Sequence, residues 1–293
     1  MTDILTEFAE SLTREDKAAN TIESYLRDLR HFAHWFSQNN GEDFSPALIT
    51  PMDIKDYRRC MMVQKQAKPA TVNRRLAALH RLCRWAKGKG LVEDDPTEGI
   101  KGVEKERLLA PKALTRNQAH ALIRTVERHG SRRDLAIIEV LRHTGIRVGE
   151  LARLRLADLS ISDRKGTLVV RWGKGGKYRE VGLNADVRKA LSDYLKVRPE
   201  VADDHLFVGQ RGNGLGVRAI EELVSKYARL AGIPDLTPHV LRHTFAKHLL
   251  DAGENLVSVA ALMGHSRLDT TAVYTRPSAL DLERAVDKLA EEE

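Results

Sequence analysis

A widely spaced set of basic and hydroxyl-bearing side chains is the part of the sequence that could carry out chemistry. Arg147 follows a glycine turn at the start of a predicted helix, and His239 and Arg242 stand at i and i+3 on a later one. His265 follows a glycine at the end of another helix, and Tyr274 comes shortly after it. Guanidinium groups match phosphate oxygens with planar forks of donors, and imidazoles move protons near neutral pH. Each of these residues alone has a structural explanation, such as a carbonyl cap or a core histidine, but their occurrence together and in this order favours a functional set.

Signatures of metal and nucleotide cofactors are missing from the sequence. It contains no Gly-x-x-x-x-Gly-Lys-Ser/Thr loop, no Gly-x-Gly-x-x-Gly after a predicted strand and no His-Glu-x-x-His. His239, His243 and His248 come closest to a metal cluster, but no carboxylate stands at a regular ligand spacing. Cys60 and Cys83 lie in apolar helical patterns, which predicts core thiols in a reducing cytoplasm. We expect no cofactor and no metal.

The charge balance favours an anionic partner. The chain has 293 residues, a formal net charge of +7 and a pI of about 9.4. Residues 1–110 hold 18 basic and 17 acidic side chains, which leaves 30 basic and 24 acidic ones for residues 111–293. Most of the positive surplus therefore lies in the second part of the chain. No uncharged stretch is long enough to cross a bilayer, and Asp3, Glu7 and Glu10 argue against a signal peptide. We expect a cytoplasmic protein without a membrane partner.

Hydrophobic periodicity predicts a mostly α fold in two domains. Four helical patterns fill residues 1–90, among them an apolar stripe from Ile22 to Phe36 and another after Pro69. Residues 91–111, rich in glycine, proline and charge, are predicted to be a linker. Residues 112–293 are predicted to form a mixed, mainly helical domain with a small antiparallel sheet, ending in a C-terminal helix.

Within the second domain the spacing of apolar residues changes from one typical of helices to one typical of strands, and then back again. The predicted helices cover Thr115–His129, Ser131–His143 and Val148–Leu156. Alternating apolar residues in Thr167–Trp172 and Lys177–Leu183, joined by a glycine-rich turn, predict a β-hairpin. Helices resume after Asn184.

The ordered set of polar residues resembles the tyrosine site-specific recombinases, the phage integrase and Xer-like family. Helix residues of the first domain agree, including Thr21, Tyr25 and Trp35 on one helix and Arg75 and Trp85 on another. The resemblance covers nearly the whole chain. It implies an N-terminal four-helix core-binding domain that clamps DNA and a mainly helical catalytic domain with a small sheet.

The resemblance also implies a role for each member of the set. Tyr274 would attack DNA in line and leave a 3′-phosphotyrosine and a free 5′-hydroxyl. Arg147 and Arg242 would stabilise the charge that builds on the phosphate oxygens. His239 would help to move the tyrosine proton, and His265 would donate a hydrogen bond to a non-bridging oxygen.

The leaving 5′-oxygen needs a general acid, and the family places a lysine on the hairpin. Lys174 matches the family's glycine-lysine-glycine pattern and is our choice, whereas Lys177 is expected to contact backbone phosphate. A solvated turn lysine is the structural alternative for either. Glu150, three residues after Arg147, is expected to hold that arginine or its helix in place rather than to act in the chemistry.

Basic residues of the first domain are candidate DNA contacts. Arg74, Arg81 and Arg84 fall on one helix face, and Ala78 on that face would allow close approach to a phosphate backbone. A solvated helix face explains the spacing equally well. The family resemblance favours DNA contact.

The resulting hypothesis is an enzyme that breaks and rejoins double-stranded DNA at a recombination site without metal or ATP. The resemblance implies a homo-tetramer on synapsed DNA, with or without a related recombinase. An apolar stripe after Pro277 would dock on its own domain or, as in the family, on a neighbouring protomer. A type IB topoisomerase and a non-catalytic DNA-binding accessory factor are the alternatives.

Overall fold

The computed structural model describes residues 2–104, 111–171, 178–264 and 268–275. The chain divides into two units, Met1–Glu106 and Arg107–Glu293. Both are built mainly from α-helices, and the second also holds a three-stranded antiparallel sheet. The predicted fold class is therefore confirmed. In the described part of the chain no helix is both long and apolar enough to span a bilayer.

Four helices form the first unit, as the periodicity predicts. A capping box between Thr50 and Asp53 begins the third helix, and Pro51 occupies its first position, where a missing amide hydrogen costs nothing. A π-helical turn, Cys60–Gln64, follows that helix directly. The helices are α1 (Thr2–Arg14), α2 (Ala19–Asn40), α3 (Pro51–Arg59) and α4 (Pro69–Gly88).

Aromatic side chains dominate the core of the first unit. Phe32 lies at its centre, with ring centroids 4.9 Å from Tyr57 and 6.0 Å from Phe36. The segment after α4 belongs to this unit, because the Asn73 amide bonds both the N–H and the carbonyl of Val103. The predicted linker therefore contacts the first unit at least as far as Val103.

Helices and a small sheet form the second unit. Most of their apolar faces share one core, to which the sheet contributes Leu168 and Val181, residues that pair directly across two neighbouring strands. A second, smaller cluster includes Phe245, Met263 and Tyr274. Ser131, Asn184 and Asn255 cap three of the helices by accepting bonds from their first turns. The helices are α5 (Arg116–His129), α6 (Arg132–Thr144), α7 (Val148–Leu151), α8 (Ala185–Leu195), α9 (Val217–Leu230), α10 (Pro238–Asp251), α11 (Leu256–Met263) and α12 (Asp269–Ala272).

The sheet has the strand order β1 (Leu159–Ile161), β2 (Gly166–Val170) and β3 (Arg179–Gly182), all antiparallel. The pairing of β2 with β3 is the predicted hairpin, with shorter strands. The sequence prediction missed β1, whose three residues are too few for a visible alternation. Residues 172–177, which include the predicted glycine-rich turn with Lys174 and the predicted strand residue Lys177, lie outside the described residues.

The predicted helix Val148–Leu156 is wrong in its second half. Helix α7 ends at Leu151, and the chain then pairs with a distant loop. The Leu154 carbonyl accepts a bond from the Leu206 amide, and the Leu156 amide donates to the Asp204 carbonyl. These long-range bonds replace the helical ones, so tertiary pairing outweighs the local helical pattern.

Candidate active site

The junction between α6 and α7 places Arg147. Gly145 ends α6 in the left-handed conformation, with φ at +59°. A Cβ at this glycine would clash with the ring of Phe245, so both conformation and space require glycine. Arg147 then lies directly before α7, as its N-cap residue. The glycine turn seen in the sequence therefore determines the position of Arg147 at the start of this helix.

Glu150 holds Arg147, as the sequence analysis expected. Its carboxylate is buried and accepts from the Arg147 backbone N–H (2.8 Å) and from Arg147 Nη1 (3.0 Å). Two further bonds come from Arg179, by Nη1 (3.1 Å) and Nη2 (2.7 Å). Burial alone would raise the pKa of Glu150, but the bonds from Arg179 and Arg147 bring that pKa below its usual value. Glu150 is therefore a carboxylate near neutral pH.

Helix α10 carries Arg242 into the interior. Thr237 caps the helix by accepting from the Val240 amide at 3.2 Å. Arg242 is 3% exposed and donates to the Gly145 carbonyl and, at 2.7 Å, to the Met263 carbonyl. Burial and the neighbouring Arg147 lower the pKa of Arg242 to about 10. It remains a guanidinium at neutral pH and ties the glycine turn after α6 to the end of α11.

Tyr274 lies buried in the 3-10 turn Val273–Thr275, packed in a small cluster with Phe245 and Met263. Its hydroxyl is 2.8 Å from Nδ1 of His243. Burial raises the pKa of Tyr274, and Arg242 and Arg147 offset part of that rise. The hydroxyl is therefore protonated at neutral pH and donates to Nδ1 when His243 carries its own proton on Nε2.

His239 lies next to His243 rather than on the tyrosine. The two imidazole centroids are 4.1 Å apart with planes inclined by 66°. Desolvation, followed by the charges of Arg242 and Arg147, lowers the pKa of His239, which keeps it neutral at pH 7. The sequence analysis gave the tyrosine proton to His239, whereas the structure places His243 at hydrogen-bond distance from the hydroxyl. His243 follows Arg242 directly and stands at i+4 from His239, which was the available signal.

The structure thus brings together four of the six residues named as catalytic candidates. Arg147, His239, Arg242 and Tyr274 meet where α7, α10 and the turn after α12 converge. Two residues that were not among the catalytic candidates, Arg179 and His243, join them. The other two candidates, Lys174 and His265, lie outside the described residues, as do Lys177 and residues 276–293.

The arginines proposed for DNA contact in the first unit are partly engaged in ion pairs. Arg74 pairs with the buried Asp28, and Arg81 donates to the Glu15 carboxylate. Arg84 is exposed.

The expectation for Ala78 was wrong. Its side chain is fully buried in the core of the first unit. Only one face of α4 is covered, but the buried stripe is wide enough to include Ala78 as well as Leu79 and Leu82. This alanine therefore packs against protein and is not available to a phosphate backbone.

Among the described residues, one group could offer ligands to a metal ion: Asp203, Asp204 and His205. Asp203 is committed to other bonds, since it accepts from the backbone amides of His205 (2.9 Å) and Gly214 (2.8 Å) and contacts His205 Nδ1. The two amides lower the pKa of Asp203 to about 2. This group fixes its own loop, and none of its members belongs to the set around Tyr274.

Comparison with known families covers both units. The Phage integrase family matches residues 112–280, and the phage integrase N-terminal SAM-like domain matches residues 5–90. The tyrosine recombinase XerD of Ralstonia nicotianae is 34% identical over 283 residues, which span 94% of this chain and 89% of that protein.

Solved structures show the same architecture. The crystal structure of XerA recombinase shares 28% identity, with a TM-score of 0.54 and 98% of each chain covered. The XerH site-specific recombinase, solved in a post-cleavage complex with a palindromic difH substrate, aligns with a TM-score of 0.75 at 24% identity. That alignment covers 90% of this chain and 78% of the other.

Proposed function

Because this chain belongs to the phage integrase family, as a tyrosine recombinase of the Xer type, we propose that it breaks and rejoins DNA at a recombination site through a 3′-phosphotyrosine at Tyr274. The observation that carries the proposal is the Tyr274 hydroxyl, buried, 2.8 Å from an imidazole and close to two arginines. A topoisomerase-like or purely accessory role is not favoured, since family domains and recombinase relatives cover the chain.

The chemistry follows from the charges of the site. The Tyr274 oxygen attacks the scissile phosphorus while its proton passes to Nδ1 of His243, and the bond from phosphorus to the 5′-oxygen breaks. Negative charge grows on the non-bridging oxygens, where Arg147 and Arg242 stabilise it without a metal ion. Lys174 gives a proton to the departing 5′-oxygen. The bond energy stays in the protein–DNA link, so an incoming 5′-hydroxyl reverses the steps and no ATP is consumed.

The remaining proposed contacts are with DNA phosphates, from the catalytic candidate His265 and from basic residues that bind DNA. His265 would donate to a non-bridging oxygen, and Lys177 would contact a neighbouring phosphate. Arg74, Arg81 and Arg84 would face the backbone of the duplex, where basic side chains supply sequence-independent affinity. Arg84 is exposed, and Arg74 and Arg81 would exchange part of their ion pairing for phosphate.

The partners proposed are a double-stranded recombination site and three further recombinase subunits on synapsed DNA. The family resemblance and the apolar stripe after Pro277 support this assembly, with that stripe docked on a neighbouring protomer. Sedimentation of the protein with a two-site DNA checks it, and a chain truncated after Pro277 should then occupy single sites without forming the synaptic complex.

A suicide substrate tests the proposed function. A duplex site is first selected by the protein itself from a random library, then nicked next to the cleavage position so that the freed fragment diffuses away. The expected result is a covalent protein–DNA adduct on denaturing gels, formed in EDTA and without ATP. Adduct that appears only with a divalent metal would assign the chemistry to another class of nuclease.

His243 is predicted to matter more for cleavage than His239. His243→Ala removes the group that takes the tyrosine proton, and adduct formation should slow by about 10² to 10⁴, the usual contribution of a general base. His239→Ala should slow it less. The measurement is the single-turnover rate on the suicide duplex.

His243→Asn serves as the control for that comparison. An asparagine oxygen can accept from the Tyr274 hydroxyl but cannot keep its proton, so the variant should orient the tyrosine and still cleave slowly. A larger loss for His239→Ala than for His243→Ala would return the proton-transfer role to His239.

Lys174→Ala is predicted to impair departure of the 5′-oxygen. On a normal phosphodiester it should cleave slowly, because the alkoxide would leave unprotonated. A 5′-bridging phosphorothiolate leaves as a stable thiolate and should restore much of the rate to Lys174→Ala but little to Arg147→Ala. Lys177→Ala is the parallel variant. Rescue of Lys177→Ala alone would assign the acid to that lysine, and rescue of neither would remove it from the hairpin.

A further inference from the structure

Arg179 links three parts of the site through one partly buried guanidinium. It lies on β3, the strand that follows the residue 172–177 segment, and its side chain is 12% exposed. Nη1 and Nη2 donate to the two oxygens of Glu150, and Nε donates to the Leu262 carbonyl at 3.2 Å. The planar fork thus engages a carboxylate on one side and the end of α11 on the other.

The end of α11 is shaped around this guanidinium. Gly264 ends the helix with φ at +64°, and a Cβ there would lie 2.7 Å from Nη1 of Arg179. Two successive carbonyls of that helix, of Leu262 and Met263, are taken by Arg179 and Arg242. The fold therefore fixes Arg179 before any substrate binds.

Glu150 accepts hydrogen bonds both from Arg179 and from Arg147, the arginine proposed to bind phosphate. Oε1 accepts from the guanidiniums of both Arg147 and Arg179, and Oε2 accepts from the Arg147 backbone and from Arg179. One buried carboxylate is thereby shared by two guanidiniums. Arg147 is oriented by Glu150 without its charge being neutralised by a carboxylate of its own, so it keeps positive charge for an anionic ligand.

We propose that Arg179 is a positioning residue for strand cleavage, which acts by holding Glu150 so that Arg147 meets the scissile phosphate. This inference rests on the proposed function, because it takes Arg147 as the phosphate ligand. Arg179 itself is pointed at the carboxylate and the Leu262 carbonyl and is not assigned a contact with DNA.

The first test is a double-mutant cycle on the suicide duplex, with Arg147→Ala and Arg179→Gln. Arg179→Gln alone should slow adduct formation by about 10- to 100-fold, the range for partners that orient a functional side chain. In the Arg147→Ala background, Arg179→Gln should add little further loss, because the residue through which it acts is already gone. Arg171→Gln, which breaks the pairing of the arginine directly after β2 with the buried Asp158, is the matched control and should cleave normally.

The second test is a pH profile. Among the described residues, the charged groups that face Glu150 are Arg147, Arg179 and Arg242. Loss of Arg179 removes two donors and a positive charge, so burial then raises the pKa of Glu150 and its carboxylate protonates at higher pH. The pH below which the cleavage rate falls should therefore be higher in Arg179→Gln than in wild type. In Arg179→Lys it should return towards the wild-type value.

Each outcome has one meaning. The positioning role would be overturned if the rate losses of Arg147→Ala and Arg179→Gln multiplied in the double variant. It would also be overturned if folded Arg179→Gln lost activity at the same acidic pH as wild type. Thermal unfolding and DNA-binding measurements establish which variants are folded. If Arg179→Gln does not fold, Arg179→Lys replaces it in the double-mutant cycle. Failure of the wild-type chain to form an adduct would overturn the proposed function instead.

Discussion

A chain with Tyr274→Phe is expected to bind its DNA site with wild-type affinity and to form no detectable covalent adduct. The substitution removes one oxygen, and the ring still fills the cluster with Phe245 and Met263. Without that oxygen no bond to phosphorus can form, so the loss should be complete rather than partial. Binding is measured by gel mobility on the intact duplex, and adduct by denaturing gels on the nicked one.

Tyr194→Phe is the matched control for that prediction. It also removes a buried tyrosine hydroxyl, one that accepts from the Val208 amide at 3.3 Å. The variant should lose about 1 kcal/mol of its free energy of unfolding, the usual contribution of one hydrogen bond, and should still cleave DNA. Strand cleavage that persists in Tyr274→Phe would eliminate Tyr274 as the nucleophile.

Arg147→Ala is expected to lower the single-turnover cleavage rate by about 10²- to 10³-fold, by analogy with a lost oxyanion donor. Arg147 is partly exposed and is held from one side by Glu150, so its removal leaves the surrounding backbone intact. DNA binding should weaken far less, because one phosphate contact among many is lost.

A neutral scissile group separates this role from a general effect on folding. With a methylphosphonate at the cleavage position, less negative charge builds up, so Arg147→Ala should recover much of its rate relative to wild type. Arg242→Ala should be equally slow on normal DNA but also less stable, since its guanidinium satisfies the buried carbonyls of Gly145 and Met263. Near-normal cleavage by Arg147→Ala would contradict the assignment.

Local sequence patterns were enough to predict much of the fold and part of the candidate site. Helical periodicity predicted α2 and α4, and alternation predicted the pairing of β2 with β3. The glycine before Arg147 and the i, i+3 spacing of His239 and Arg242 were readable because each depends on one turn or one helix. Glu150 followed in the same way, since it lies three residues from the arginine that it holds.

What the sequence could not show depends on contacts between distant elements. The bond from Arg179 to Glu150 joins residues 29 positions apart, and that from His243 to Tyr274 joins residues 31 apart. The early end of α7 has the same origin, because the backbone of Leu154 pairs with that of Leu206. No local periodicity encodes such pairs, so the sequence pointed to His239 on its helix face and not to the contact between His243 and Tyr274.

Mapping the residue that carries DNA tests the central claim most directly. The adduct is digested with nuclease and trypsin, and the peptide with a nucleotide remnant is sequenced by mass spectrometry. Since trypsin cleaves poorly before proline, Tyr274 should appear in the peptide that runs from Leu268 to Arg284. The proposed mechanism places the remnant on the Tyr274 oxygen, linked through a 3′-phosphate. A remnant on any other residue, or a 5′-phosphate linkage, would contradict it.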